Sequence, residues 1–340
     1  MKFVGAALSG AFFLCALPPT SHATHVHMEA GPFLGVVLCV AVDPARPKTI
    51  YASAFGGGVF RSEDGGQAWA AVNRGLPNRK VFSLVIDPKD RKQLYLGTDQ
   101  GIFLSRDQGN SWAPLTLQLA RRNVRAFAID AKDARLLYVA TDQGVFQGRE
   151  REWTRISAGL LNPDVRGLVV SRDGDLFAAT FDGVFKKEKR RSSWSEVNRG
   201  LEDRKIRALA IDPASHGTLF AGTSYGGAFR TTDGGKSWKA ANRGLLNSTV
   251  LSLIITPDGA LYAGTIDGVF KSLTHGQSWF AAGEDLPFTV ASMAFDPSDP
   301  KILYAGSGGR VFKSNNGGQN WKDISRHVSY FVPVTRANNK

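Results

Sequence analysis

Short apolar runs, five to eight residues long and rich in β-branched and aromatic side chains, alternate along the chain with polar segments carrying Gly, Asp and Pro. Val81 to Asp87 ahead of Pro88, then Leu94 to Thr98, then Gly101 to Ser105, then a stretch opening at Trp112, predict four consecutive strands joined by tight turns. The same phrase recurs. The seven tryptophans stand at 69, 112, 153, 194, 238, 279 and 321, so successive spacings are 43, 41, 41, 44, 41 and 42. Each of the first six is followed after 12 residues (11 in one case) by a β-branched residue that opens the next apolar run: Val81, Val124, Val165, Ile206, Val250 and Val290. Val37 opens the first run. Four short strands per roughly 42 residues, repeated seven times, predict an all-β chain folded as one seven-bladed β-propeller of four-stranded antiparallel blades. The blades fall at about 37–80, 81–123, 124–164, 165–205, 206–249, 250–289 and 290–332. Strand a, the first of each unit, is expected to line the central channel. Its third position holds only small residues, Cys39, Ser83, Ala126, Gly167, Ala208, Ser252 and Ser292, read as the consequence of seven strands converging on one axis. Closure of the ring is open at this stage: His25 to Gly31 aligns with Trp69 to Gly75 and would supply an extra outer strand, while the last repeat has its own fourth strand after Trp321.

Composition agrees with a packed fold. Among 340 residues, 43% are apolar and 10% aromatic, which excludes disordered and collagen-like classes. The ends add a compartment. Lys2, an apolar run from Val4 to Leu17 and the small-x-small triplet Ser21-His22-Ala23 read as a secretory signal peptide over 1–23, too short to span roughly 30 Å of hydrocarbon. The propeller then occupies 24–340, and the mature protein is expected to be periplasmic or secreted, without a membrane span. Phe12, Phe13 and Leu14 before Cys15 do not fit a lipoprotein cleavage box. Cys39, in an apolar strand, reads as a small buried hydrophobe.

Before several tryptophans lies a polar turn: Ser62-Glu63-Asp64-Gly65-Gly66-Gln67-Ala68-Trp69, Ser105-Arg106-Asp107-Gln108-Gly109-Asn110-Ser111-Trp112, and Thr231-Thr232-Asp233-Gly234-Gly235-Lys236-Ser237-Trp238. Hydroxyl and carboxylate can accept from turn N–H groups, Gly takes the left-handed position, and the indole packs on the neighbouring sheet. These turns resemble the Asp box, S-x-D-x-G-x-[ST]-W, of bacterial neuraminidase repeats, found in sialidases, sortilin-type receptors, xyloglucan-degrading propellers and photosystem II assembly-factor propellers. The resemblance implies a propeller and gives Asp64, Asp107 and Asp233, with Trp69, Trp112, Trp153, Trp194, Trp238, Trp279 and Trp321, a structural role at the periphery. Thr274 and Asn316 replace the Asp in blades 6 and 7, blade 3 is two residues short, and blade 4 keeps only its Trp.

Catalytic and metal chemistry find little support. The resemblance to sialidases would require an Arg-Ile-Pro segment, which does not occur. Five of seven tyrosines (51, 95, 138, 262 and 304) share one strand-b position, a packing role. Asp99, Asp142, Asp182 and Asp267 recur at one repeat position beside a turn Gly, where Asp stabilises the turn. No catalytic residue, metal site or cofactor is expected; His25 and His27 read as an exposed tail.

Charge is the remaining signal. Lys and Arg total 42 against 30 Asp and Glu, a formal net charge of +12. The loops from strand d into strand a, with the first residues of strand a, carry Arg79, Lys80, Arg121, Arg122, Arg125, Arg166, Arg204, Lys205 and Arg207. Arg125, Arg166 and Arg207 occupy one repeat position in three consecutive blades and should present guanidinium groups toward one mouth of the channel; Leu38, Leu251 and Ala291 stand there in blades 1, 6 and 7. A basic arc beside an apolar arc suits an acidic peptide with an apolar anchor, or anionic groups. A second basic group, Arg149, Arg151, Lys186, Lys187, Lys189, Arg190 and Arg191, lies at the opposite, outer edge. Nucleic acid is disfavoured by the export signal and the lack of interleaved aromatic platforms. The chain is therefore expected to be a non-catalytic exported scaffold or assembly factor that binds a protein partner through its basic face, with peripheral contact to a membrane complex. The alternative is a carbohydrate-active protein, an acidic-glycan binder or a glycosidase-like hydrolase, with Phe55, Phe181 and Tyr225 as sugar platforms.

Overall fold

A computed structural model describes residues 33–329, apart from 131, 151, 216, 284, 285, 287, 288 and 327. The signal segment 1–23 and His25 to Gly31 lie outside the described residues. The chain is a seven-bladed β-propeller, each blade an antiparallel sheet built from consecutive strands a to d. Blade 1 runs Val36–Val42, Ile50–Phe55, Gly58–Ser62 and Trp69–Ala71. The inner strands of blades 2 to 7 are Val81–Ile86, Val124–Ile129, Gly167–Val170, Ile206–Ile211, Val250–Ile255 and Val290–Asp296. Strands a to c are buried on both faces, which is why they read as nearly continuous apolar runs, and the core lies in the wedges between sheets.

Closure is decided by the last repeat. Blade 7 takes its outer strand, Lys322–Asp323, from its own sequence. The chain then crosses to blade 1, where Val328–Ser329 adds a fifth, parallel strand beside Trp69–Ala71.

The small third residue of strand a has a different cause from the one expected. Ser83 Oγ donates to the carbonyl of Val124 (3.4 Å), Ser292 Oγ to that of Val37 (3.4 Å), and Cys39 Sγ to that of Leu84 (3.5 Å). These side chains face the inner strand of the next blade, so their size is limited by that neighbour's backbone rather than by the axis. The second residue of strand a behaves differently. In blades 1, 2, 3, 5, 6 and 7 the pairing register slips there, as between Val81 and Ser83 or Ile206 and Ala208. A bulge leaves that residue unpaired and re-aims its side chain. The bulge is what turns Leu38, Phe82, Arg125, Arg207, Leu251 and Ala291 away from the ladder.

The tryptophans act between blades. Indole Nε1 donates to a carbonyl just beyond strand d of the preceding blade: Trp112 to Val72 (2.7 Å), Trp238 to Val197 (2.7 Å), Trp279 to Ala241 (2.7 Å), Trp321 to Ala282 (2.9 Å). Trp194 does the same to Ile156 (2.5 Å), and Trp69 closes the ring on Ile324 (2.8 Å). Trp153, in the shortened blade 3, instead bonds Glu150 of its own turn. Within the turns, Asp107 accepts from the amide and hydroxyl of Ser111 (2.9 and 2.6 Å) and from Ser105 Oγ (2.7 Å); Asp64 and Asp233 are held alike. Thr274 and Asn316 accept the corresponding amides of Ser278 and Asn320, so the turn survives loss of the carboxylate.

Candidate functional site

The b–c and d–a loops share one face, because strands a and c run away from it and b and d toward it. Side-chain amides stitch the two loop sets together: Asn78 to Asp99 (2.8 Å), Asn123 to Asp142 (2.7 Å), Asn247 to Asp267 (2.6 Å). The Asp182 amide donates to Thr180 Oγ1 (3.0 Å), and its carbonyl accepts from Asn198 Nδ2 (3.4 Å). The first three of these recurring aspartates are thus occupied as loop staples.

Inside this ring of loops the mouth of the channel carries the basic arc. Arg166 leads into strand a of blade 4, its amide bonded to the carbonyl of Ala179 (2.8 Å). Its Nη2 pairs with Asp164 (2.9 Å), and Arg125 Nη1 pairs with the other carboxylate oxygen of the same Asp164. The guanidinium of Arg166 lies 3.8 Å from the ring centroid of Phe181, and that of Arg207 lies 5.5 Å from it. Arg207 Nε also donates to Ser224 Oγ (2.8 Å). Three consecutive blades therefore bring their arginines into one cluster around one carboxylate and one aromatic ring. Burial pulls Arg125 below the ordinary guanidinium range, opposed by Asp164; burial and the charge of Arg166 lower Arg207. The Nε atoms of Arg125 and Arg166 have no hydrogen-bond partner among the described residues. The opposite arc is apolar and buried: Leu38, Phe82, Leu251 and Ala291, with Phe55 tilted on Phe82 at 5.5 Å.

The remaining predicted cations stand outside this cluster. Lys80 approaches Asp99 (3.9 Å), Arg204 approaches Glu196 (3.7 Å), and Lys205 lies over Tyr225 (5.1 Å). Arg79 and Arg121 are exposed on the rim, and Arg122 lies over Phe146 (5.1 Å). At the outer edge three members of the second basic group are ion-paired, Lys186 with Asp175, Arg191 with Glu188 and Arg149 with Asp133; Arg151 lies outside the described residues.

Asp164 and Phe82 are the site residues that sequence reading passed over. A signal existed for Asp164, which stands just before the strand-opening Val165 where blades 2 and 5 place Lys80 and Lys205. The strand-b tyrosines are all buried; Tyr51 and Tyr262 donate to carbonyls of the next blade, Gln108 and Gly317, and burial pushes the Tyr51 phenol up to about 12. Among the described residues no three His, Cys, Asp or Glu side chains converge to hold a metal ion, and no helix is long and apolar enough to cross a membrane.

Comparison with known proteins places the architecture in context. The sortilin (Vps10, neurotensin receptor 3) family model matches residues 57–174. Curated protein sequences give no match. Among solved structures the chain is similar to an ancestral GH74 enzyme, with TM-score 0.72 and 15% identity over 93% of this chain and 48% of that one. It is similar to the extracellular domain of a two-component system from B. thetaiotaomicron, with TM-score 0.70 and 16% identity over 89% of this chain and 39% of that one. It is also similar to YCF48 bound to D1 peptide, with TM-score 0.56 and 18% identity over 72% of this chain and 82% of that one. The chain thus spans about half the length of the GH74 enzyme and less of the two-component protein. These neighbours include an enzyme and a peptide-bound propeller, and at these identities the likeness is one of fold.

Proposed function

We propose that the protein is an exported, non-catalytic propeller of the Asp-box type that binds a protein partner, as scaffold or assembly factor, through the basic mouth of its channel. The observation that carries this reading is the Arg125, Arg166 and Arg207 cluster. Arg125 and Arg166 converge on the one carboxylate of Asp164 and Arg207 stands beside them over Phe181, a concentration of positive charge suited to an acidic chain. The apolar arc of Leu38, Phe82 and Leu251 would take an apolar anchor beside it. A propeller of this shape that holds a peptide, YCF48 with D1 peptide, gives the reading a structural precedent. The turn geometry at Asp64, Asp107 and Asp233, together with the sortilin match, supports the Asp-box assignment, and the extracellular neighbour supports a periplasmic or secreted location.

The carbohydrate alternative draws on the GH74 neighbour. It is the weaker reading, because two of its three aromatic platforms are committed: Phe181 lies against Arg166 and Arg207, and Phe55 lies against Phe82. Tyr225, 68% exposed, has Lys205 over its ring. Cross-linking from cell envelopes tests the choice. One stoichiometric protein partner, lost in Arg166→Glu/Arg207→Glu but retained in Lys236→Glu, supports the scaffold; retention in both variants, or release of sugar from acidic glycans by the protein, rejects it.

A further inference from the structure

Among the described residues, six of the eight exposed large apolar side chains belong to the loop face: Leu34, Leu117, Leu161, Tyr225, Leu246 and Ile266. Leu117 and Leu161 are 84% and 72% exposed, while Leu160, one residue before Leu161, is half-buried against the core. The two exposed leucines sit on neighbouring d–a loops that flank a cavity of about 270 Å³, lined by Arg122, Asp142, Gln143, Phe146, Arg155 and Pro163. Leu117 adjoins Gln118, whose carbonyl accepts from Arg122 Nη1 (2.6 Å), and Leu161 precedes Pro163 by two residues. Arg122 lies over the Phe146 ring, and its Nε has no hydrogen-bond partner among the described residues. Asp142 is engaged by the amide and side chain of Asn123, and exposed Arg121 adds a third cation beside Arg122 and Arg155.

We propose that this rim of blades 2 to 4 docks on an anionic bilayer, with a lipid phosphate seated between Arg122 and Arg155 and Leu117 and Leu161 entering the acyl boundary. Guanidinium groups suit a phosphate, and paired aliphatic tips beside them suit the hydrocarbon just below it. A free phosphate would have no use for the leucines. The two leucines are highly exposed single tips on separate loops beside arginines, the pattern of side chains that enter a bilayer below its headgroups. The inference uses neither Arg125 nor Arg207, so it stands or falls apart from the channel-mouth reading.

The test uses the full chain with Cys15→Ser and an environment-sensitive fluorophore on Leu161→Cys; a second sample carries the fluorophore on Lys236→Cys, in a c–d turn of blade 5. Vesicles of phosphatidylcholine alone are compared with vesicles containing one quarter phosphatidylglycerol. The expected result is a blue shift at position 161 with at least tenfold preference for the anionic vesicles, none at 236, and loss of the preference in Arg122→Gln/Arg155→Gln, whose thermal melts match the parent. No shift at 161, equal shifts at both positions, or a preference that survives the double variant overturns the proposal. Anionic-vesicle binding left unchanged by Leu117→Ser/Leu161→Ser overturns the insertion and leaves a headgroup or free-phosphate site.

Discussion

At the scale of single residues the channel mouth depends on Asp164. Two partly buried guanidinium groups share its one carboxylate, and removing the partner of such a group costs more than losing an exposed ion pair would. Asp164→Ala should therefore destabilise the fold by about 2 kcal/mol, read as a lower denaturant midpoint at unchanged m-value. A second prediction concerns acid. Asp233 is held down to about 2 by the hydroxyl and amide of Ser237 and by Thr231. Its folded value lies below the unfolded one, so its contribution is present above about pH 4 and is lost as pH falls toward 2. Asp233→Asn should flatten the stability profile in that window and keep the turn, as Asn316 does in blade 7; an unchanged profile would contradict the assignment. The basic arc was legible from repeat alignment of Arg125, Arg166 and Arg207. Asp164 was not, because the same alignment gives Lys at two of its equivalents, and a single departure from a repeat carries little weight in a sequence.

At the scale of elements the indoles join blade to blade. Trp112→Phe keeps the ring but strips Val72 of its donor, and should cost about 1–3 kcal/mol in equilibrium unfolding. Asn198 shows a device that sequence reading missed: its Oδ1 accepts the buried amide of Val184 (2.7 Å), as Asn73 and Asn242 do for Val59 and Ala228. The phrase Asn-Arg-Gly after strand d, at Asn73, Asn198 and Asn242, was the available signal. Asn198→Ala should cost about as much as the indole change, by the same measurement. The strands themselves were legible because four short runs per roughly 42 residues, separated by turn residues, admit little else. The bulge in strand a was not, since a slipped register depends on how the next blade crowds the inner strand and leaves no mark in local sequence.

At the scale of the whole molecule, the described residues close the seven repeats through the C-terminal end of the chain. Trp69 bonds Ile324, and Val328–Ser329 lies along blade 1, so the first and last repeats are joined by the chain beyond Asp323. Ending the chain at Asp323 also removes Ser325 Oγ, which accepts the buried amide of Val311. The loss of these bonds should lower Tm by roughly 3–6 °C, for about 2–4 kcal/mol at about 1.5 °C per kcal/mol in a chain of this size. The closed ring gathers three arginines from three blades, Arg125 and Arg166 on Asp164 and Arg166 and Arg207 on Phe181, and that arrangement is the basis of the binding reading. Its most direct measurement is the affinity of an oligoglutamate peptide ending in leucine for the parent and for Arg166→Gln/Arg207→Gln, at low salt and at 0.15 M. The account predicts saturable one-to-one binding that weakens with salt and falls roughly 10- to 100-fold in the double variant, as for loss of one or two charge-assisted contacts. Equal affinity of parent and variant, at matched thermal stability, would contradict it.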